Sequence, residues 1–448
     1  MKFSILPSLA LAGAVMAEAE LSGFQSSSKM EGMMQMKQSH RDAQRAAGVF
    51  DMNRYQIAAA TKCQNGKAGE YSCNNVDLQG HLRHQDMGSR SREGSDLWGW
   101  TSSDGREFAI AAQADGTAFV EILAGGELKY VGRLPTQTGS VIWRDMKVIG
   151  DHVYIGSEAR GHGMQVFDLR KLLNVRSPKT FSTKNDLTAW FSEFGSSHNI
   201  IANEETNTIF AVGATDNAAC SGSRGGLIMV DVSDPSNPTL AGCNGKDGYV
   251  HDAQCVVYNG IDKDFQGREI CFGYNEDTLT IYDVTNKANS SIISRTSYDG
   301  HAYTHQGWNV DPDFKYLLLD DELDEQQTSE TGQTVTYVFD ISSLANPVWT
   351  GQYIAPHKSI DHNQYIIDYV SYQANYGSGL RVLDVKSVVN DPSGGGIKEL
   401  ASFDCYPEDD KNPQAEFHGA WSVYPYFASG TVILNCIERG LFSLKVNI

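Results

Sequence analysis

From Asn74 onward the chain alternates short apolar runs with polar turns, and one run recurs: an apolar strand ending in Asp. Its clear copies are Met164-Gln165-Val166-Phe167-Asp168-Leu169, Leu227-Ile228-Met229-Val230-Asp231-Val232, Leu279-Thr280-Ile281-Tyr282-Asp283-Val284, Thr336-Tyr337-Val338-Phe339-Asp340-Ile341 and Leu380-Arg381-Val382-Leu383-Asp384-Val385. Degenerate copies are Ala118-Phe119-Val120-Glu121-Ile122 and Leu441-Phe442-Ser443-Leu444-Lys445-Val446. Such short runs predict strands, and turns such as Ser233-Asp234-Pro235-Ser236-Asn237-Pro238 stop them.

A second element repeats in phase. His198-Asn199, His251-Asp252, His305-Gln306, His362-Asn363 and His418-Gly419 are separated by 53, 54, 57 and 56 residues. Arg144-Asp145 stands 54 residues before His198, and Leu97 another 47 before that. Both elements count seven units of about 50 residues, the period of a four-stranded propeller blade. The expected fold is therefore all-β: a seven-bladed β-propeller of four-stranded blades. One unit reads as strands at 198–204, 208–213, 226–232 and 238–243. The last unit lacks an outer strand, which residues 75–84 would donate, closing the ring at its last blade.

Upstream, Lys2 and the short apolar run 3–15 read as a secretory leader with Val15-Met16-Ala17 at its cleavage site. The expected division is a signal peptide at 1–17, a Met- and Ser-rich segment with a disulfide loop at 18–73, and the propeller at 74–448. Within the middle segment residues 37–47 read as helix or disorder, and the Met-rich stretch as a mobile pro-region or linker, with a docking helix as the alternative. No run approaches the about 20 apolar residues of a membrane span.

An exported chain makes disulfides of its eight cysteines. Eight cysteines allow 105 connectivities, and locality favours Cys63–Cys73, Cys220–Cys243, Cys255–Cys271 and Cys405–Cys436. Asn289-Ser290-Ser291 is a glycosylation sequon. The formal net charge of -19 disfavours nucleic acid and leaves an extracellular ligand, polysaccharide or protein as partner. A closed ring needs no second copy to cover its edges, so a monomer is expected.

The Val-Phe-Asp, Met-Val-Asp and Val-Leu-Asp strands resemble the LVIVD repeat. From about Cys63 the chain resembles the choice-of-anchor B family of secreted propellers. The motifs carrying this are Leu97-Trp98-Gly99-Trp100, Gly132-Arg133-Leu134-Pro135-Thr136, Trp143-Arg144-Asp145, Tyr249-Val250-His251-Asp252-Ala253-Gln254-Cys255 and Asp320-Asp321-Glu322-Leu323-Asp324-Glu325. Bacterial relatives often end in a surface anchor. This sequence stops with the propeller, so the resemblance implies free secretion or cell-wall association, and it carries no defined reaction.

Seven inner strands around one axis would set His198, His251, His305, His362 and His418 on a ring, completed by Arg144 and Leu97. Loops bearing Glu158, Asp216, Glu276, Asn375, Glu438 and the acidic run would overlook it. Three readings of this face follow. Each His can close its blade by bonding a neighbour's backbone. The five histidines can ligate a divalent ion such as Zn, Mn or Cu, with Asp320, Asp321, Glu322, Asp324 and Glu325 as a separate Ca candidate. Catalysis on a polysaccharide would draw on Arg144, on His251 beside Asp252 or His305 near Asp321 as base, and on Tyr303 or Tyr376 as acid. The expectation is a secreted propeller binding a ligand or partner at this His- and carboxylate-lined mouth, with or without a divalent metal. A metal-assisted carbohydrate-active enzyme (lyase or hydrolase) and a cell-wall or surface scaffold are the alternatives; whether it is an enzyme stays open.

Overall fold

The computed structural model describes residues 28–214, 220 and 225–448; the expected leader at 1–17 and Asp216 lie outside them. Seven sheets, each built on four antiparallel strands, form a seven-bladed β-propeller. Its inner strands are Gly94–Thr101, Arg144–Ile149, Asn199–Asn203, Asp252–Val257, Thr304–Asn309, Asn363–Ile367 and Ala420–Tyr424. Each lies beside the next, and the last beside the first. Second strands such as Thr208–Val212, Glu269–Tyr274 and Tyr316–Asp321 are buried at every position, because both faces of a blade pack on neighbouring blades.

The Asp that ends the third strands has a local cause. Asp168, Asp231, Asp283, Asp340 and Asp384 each accept from the backbone N–H two residues on, at 2.8–3.0 Å. This side-chain turn starts the loop to the outer strand. The ring closes as the repeat count required. Val76–Leu82 pairs antiparallel with Gly440–Val446 as outer strand of the seventh blade. Just upstream, Tyr71–Asn74 adds to Lys398–Phe403 of the sixth blade, so the propeller sheets begin before residue 74.

Cys63–Cys73, Cys220–Cys243 and Cys255–Cys271 are bonded. The fourth expected pair is corrected: Cys405 and Cys436 are buried thiols, with Cys436 Sγ donating to Cys405 O at 3.6 Å. Asn289 is exposed in a short 3-10 turn, Lys287–Asn289, as a glycosylation acceptor must be. Among the described residues no helix is long and apolar enough to cross a membrane.

The Met-rich segment is a helix, Ser28–Ala46, rather than a linker. Met30, Met33, Lys37, Arg41 and Gln44 are buried, and that spacing of three and four residues is one helical face. The two methionines join an apolar cluster with Tyr249, Tyr303, Leu323 and Trp421, contributed by several different blades. The helix therefore lies across one mouth of the channel.

Candidate functional site

Backbone carbonyls fix the level of the ring. His251 Nδ1–H donates to His305 O at 3.0 Å, His362 Nδ1–H to Trp421 O at 2.6 Å, and Ser95 Oγ–H to Arg144 O at 3.4 Å. Ser95, Arg144, His198, His251, His305, His362 and Trp421 thus share one level. The four histidines follow one another with ring centroids 4.2 Å apart. Two expected members stand elsewhere. His418 lies off the ring, its Nε2 3.0 Å from Asp409 Oδ2 and its face stacked on Tyr406. The chain turns sharply after it at Gly419 (φ +92), where an added Cβ would meet Tyr376 O at 2.4 Å. Leu97 sits in an apolar cluster with Ala109 and Ala111, because a bulge between Gly94 and Leu97 shifts the register of its strand.

Burial keeps these histidines neutral. It lowers His198 to about 3, with Lys37 acting in the same direction, and pulls His251, His305 and His362 well below the usual value. His198 Nδ1 pairs with Glu158 Oε1 at 2.5 Å, and burial raises Glu158 to about 8, so the pair is neutral. Arg144 is buried too. Its Nη1 donates to His162 Nε2 at 3.1 Å, while its Nε and Nη2 have no hydrogen-bond partner. Burial lowers it to about 9.

Into this ring the helix inserts Lys37. Its Nζ lies 2.5 Å from Glu322 Oε1, both side chains being essentially inaccessible. The ammonium also faces the rings of Tyr376, Phe417 and Trp421 at 5.1–5.8 Å. Tyr376 O–H donates to the same Glu322 oxygen at 2.7 Å, and the Nε2 atoms of His362 and His305 lie 3.4 and 3.6 Å from the carboxylate. Although burial works to raise Glu322, the Lys37 ammonium and its hydrogen bond outweigh it and hold the carboxyl at about 2. Tyr303, the other proposed acid, donates to Met30 Sδ at 3.0 Å. The overlooking loops serve the helix as well: Glu276 accepts from Met30 N–H, and Glu438 from Gln44.

The acidic run divides its members among separate tasks. Asp321 accepts from Tyr298 O–H and from the N–H groups of Ala302, Tyr303, Leu323 and Asp324. Glu322 points into the channel. Asp320 accepts from Gln364, Asp324 from Tyr337, and Glu325 from the Asp361 N–H. Among the described residues, the one set of three ligand atoms converging within 4.8 Å is His251, His305 and Glu322.

Below the ring is a second polar level that sequence reasoning missed. Lys147 Nζ lies 2.7 Å from Asp145 Oδ1 and 4.8 Å over the Trp98 ring. Burial raises Asp96 to about 7 and Asp252 to about 8, against the opposing pull of Lys147. Beyond this level the opposite mouth is open. A cavity of about 830 Å³ there is lined by Trp98, Trp308, Tyr424, Tyr426, Lys147 and Glu204, among others. Of these rings only Trp98 stood out in the sequence, as part of a repeat motif, and the partial exposure of Trp98, Trp308 and Tyr426 was the missing signal.

These shifts set a pH window. Carboxyls near 4 when unfolded hold protons in the fold up to about 7–8, so their contribution to stability is lost as pH rises to that value. Buried histidines, lowered to about 3, oppose this only below their unfolded value of about 6.5. We expect Tm to fall as pH rises from about 6.5 to about 8, where the raised carboxyls, and His418 held above its usual value by Asp409, keep protons that the unfolded chain has lost. Asp252→Asn should flatten that fall in thermal unfolding, and a rising Tm would contradict the account.

The family model described as the LVIVD repeat matches residues 216–243. The chain carries an LVIVD repeat. That match spans the third and outer strands of the third blade, Leu227–Asp231 and Thr239–Asn244. No curated protein matches this chain. Among solved structures, the β-propeller domain of Myceliophteria thermophila Cps50 (Swd1) is similar at 10% identity and a TM-score of 0.48. The match covers 82% of this chain and 98% of that one.

Proposed function

We propose that this chain is a secreted binding propeller, related to the choice-of-anchor B proteins, that takes a neutral glycan at the open mouth of its channel. The observation that carries this reading is the contrast between the two mouths. One is covered by the helix Ser28–Ala46. The other holds a cavity of about 830 Å³ with indole and phenol rings on its wall.

Aromatic rings offer flat apolar faces with a polar edge, which suits the C–H faces and hydroxyls of a sugar. The cavity's one cation, Lys147, is neutralised by Asp145 and flanked by Asp96 and Asp252. A chain of net charge -19 adds no attraction for an acidic polysaccharide. Binding at the histidine mouth, and catalysis through Arg144, His251 or His305, would require the helix to leave, since all three side chains are buried.

Titration with neutral oligosaccharides tests the reading. Trp308→Ala/Tyr426→Ala should weaken binding at least about tenfold, roughly 1.4 kcal/mol, while leaving Tm within a few degrees. A glycan bound equally well by wild type and double variant would overturn it.

A further inference from the structure

We propose that His251, His305 and Glu322 form a transition-metal site for which the Lys37 ammonium is the built-in competitor, so that metal binding and seating of the helix Ser28–Ala46 exclude each other.

Three observations meet here. First, one ligand atom from each of the three residues lies within 4.8 Å of the others. A zinc ion needs about 2.0–2.2 Å to nitrogen and oxygen ligands, and two histidines with one carboxylate are a donor set it takes. Second, the backbone assigns the tautomer of His251. Its Nδ1 bonds a carbonyl oxygen, His305 O, which only accepts, so Nδ1 carries the proton and Nε2 presents a lone pair. That is the outer hydrogen bond that orients metal-bound imidazoles. His251 Nε2 and Glu322 Oε2 are both buried without a hydrogen-bond partner, at a cost that a bound cation removes. Third, a cation already stands there. Lys37 Nζ is 2.5 Å from Glu322 Oε1, supplying as a side chain the positive charge that neutral imidazoles and a carboxylate call for. A metal at Glu322 and an ammonium at the same carboxylate repel one another strongly, because burial leaves their charges weakly screened. Loading the metal therefore displaces Lys37, and with it the helix.

The experiment uses the full chain and Co(II), whose visible absorption reports ligand geometry, with proteolysis of the helix as second readout. Wild type should take up one Co(II), with absorption lacking thiolate charge transfer, and residues 28–46 should become cleavable as it loads. Lys37→Met should bind Co(II) at least tenfold more tightly. His305→Gln, with Lys37 intact, should abolish both binding and metal-induced cleavage. The proposal is overturned if Lys37→Met binds no more tightly than wild type. It is equally overturned if Co(II) leaves the wild-type helix as protected as before, or exposes it equally in His305→Gln. Should Lys37→Met not fold, wild type against His305→Gln decides alone.

Discussion

Lys37→Met is expected to cost about 3–5 kcal/mol of unfolding free energy, the range for removing one partner of a buried ion pair. The side chain is lost from a site where Glu322 is inaccessible and held ionised. Tyr376 O–H remains as a donor to the stranded carboxylate, but no cation does. Lys37→Met/Glu322→Gln removes both charges and should recover most of the loss, because a neutral amide is far less costly to bury. Equilibrium denaturation at neutral pH measures all three proteins. A Lys37→Met variant within about 1 kcal/mol of wild type would mean that the pair is not buried as described.

Asp321→Ala should be at least as damaging, with a loss above about 4 kcal/mol. One carboxylate serves four backbone N–H groups and the Tyr298 hydroxyl. Each buried donor left unpaired costs about 1–3 kcal/mol. Asp321→Asn keeps one acceptor oxygen and should fall between wild type and Ala. The same denaturation series ranks the three, and equal stability of Ala and wild type would refute the role. The disruption should reach the channel, because Glu322 follows Asp321 directly and its N–H donates to Tyr303 O.

The seven blades were legible because two separate signals agreed in phase. The Asp-ended strand repeats because five blades use the same side-chain turn, and the histidines repeat at one level of the inner strands, where His251 and His362 reach the next strand's backbone. Four of the five ring histidines were placed correctly by spacing alone. His418 was not, because spacing counts residues while the ring is set by backbone geometry. Gly419 and a bulge between Ala420 and Ser422 hand the position to Trp421. The same holds for Leu97 and Ser95 at the first blade.

The helix was not legible as a plug because its buried face turns polar after Met33. Met30 and Met33 begin an apolar stripe, but it continues through Lys37, Arg41 and Gln44, residue types normally left in solvent. Their burial follows from partners far along the chain: Glu322 for Lys37, Trp143 for Arg41 and Glu438 for Gln44. Nothing local announces such pairing. The acidic run misled in the opposite sense. Six consecutive residues suggested one site, whereas strand alternation and the following turn point Asp321, Glu322 and Asp324 to different neighbours.

The central claim is that the segment Ser28–Ala46 is a seated helix sealing the histidine mouth, with Lys37 in the ring. Amide hydrogen exchange of the full chain at neutral pH tests it most directly. The account predicts that amides around Met33, Lys37 and Arg41 exchange slowly, with protection comparable to inner strands such as Asp252–Val257. Exchange of those amides at the rate of an exposed, unstructured segment would contradict it.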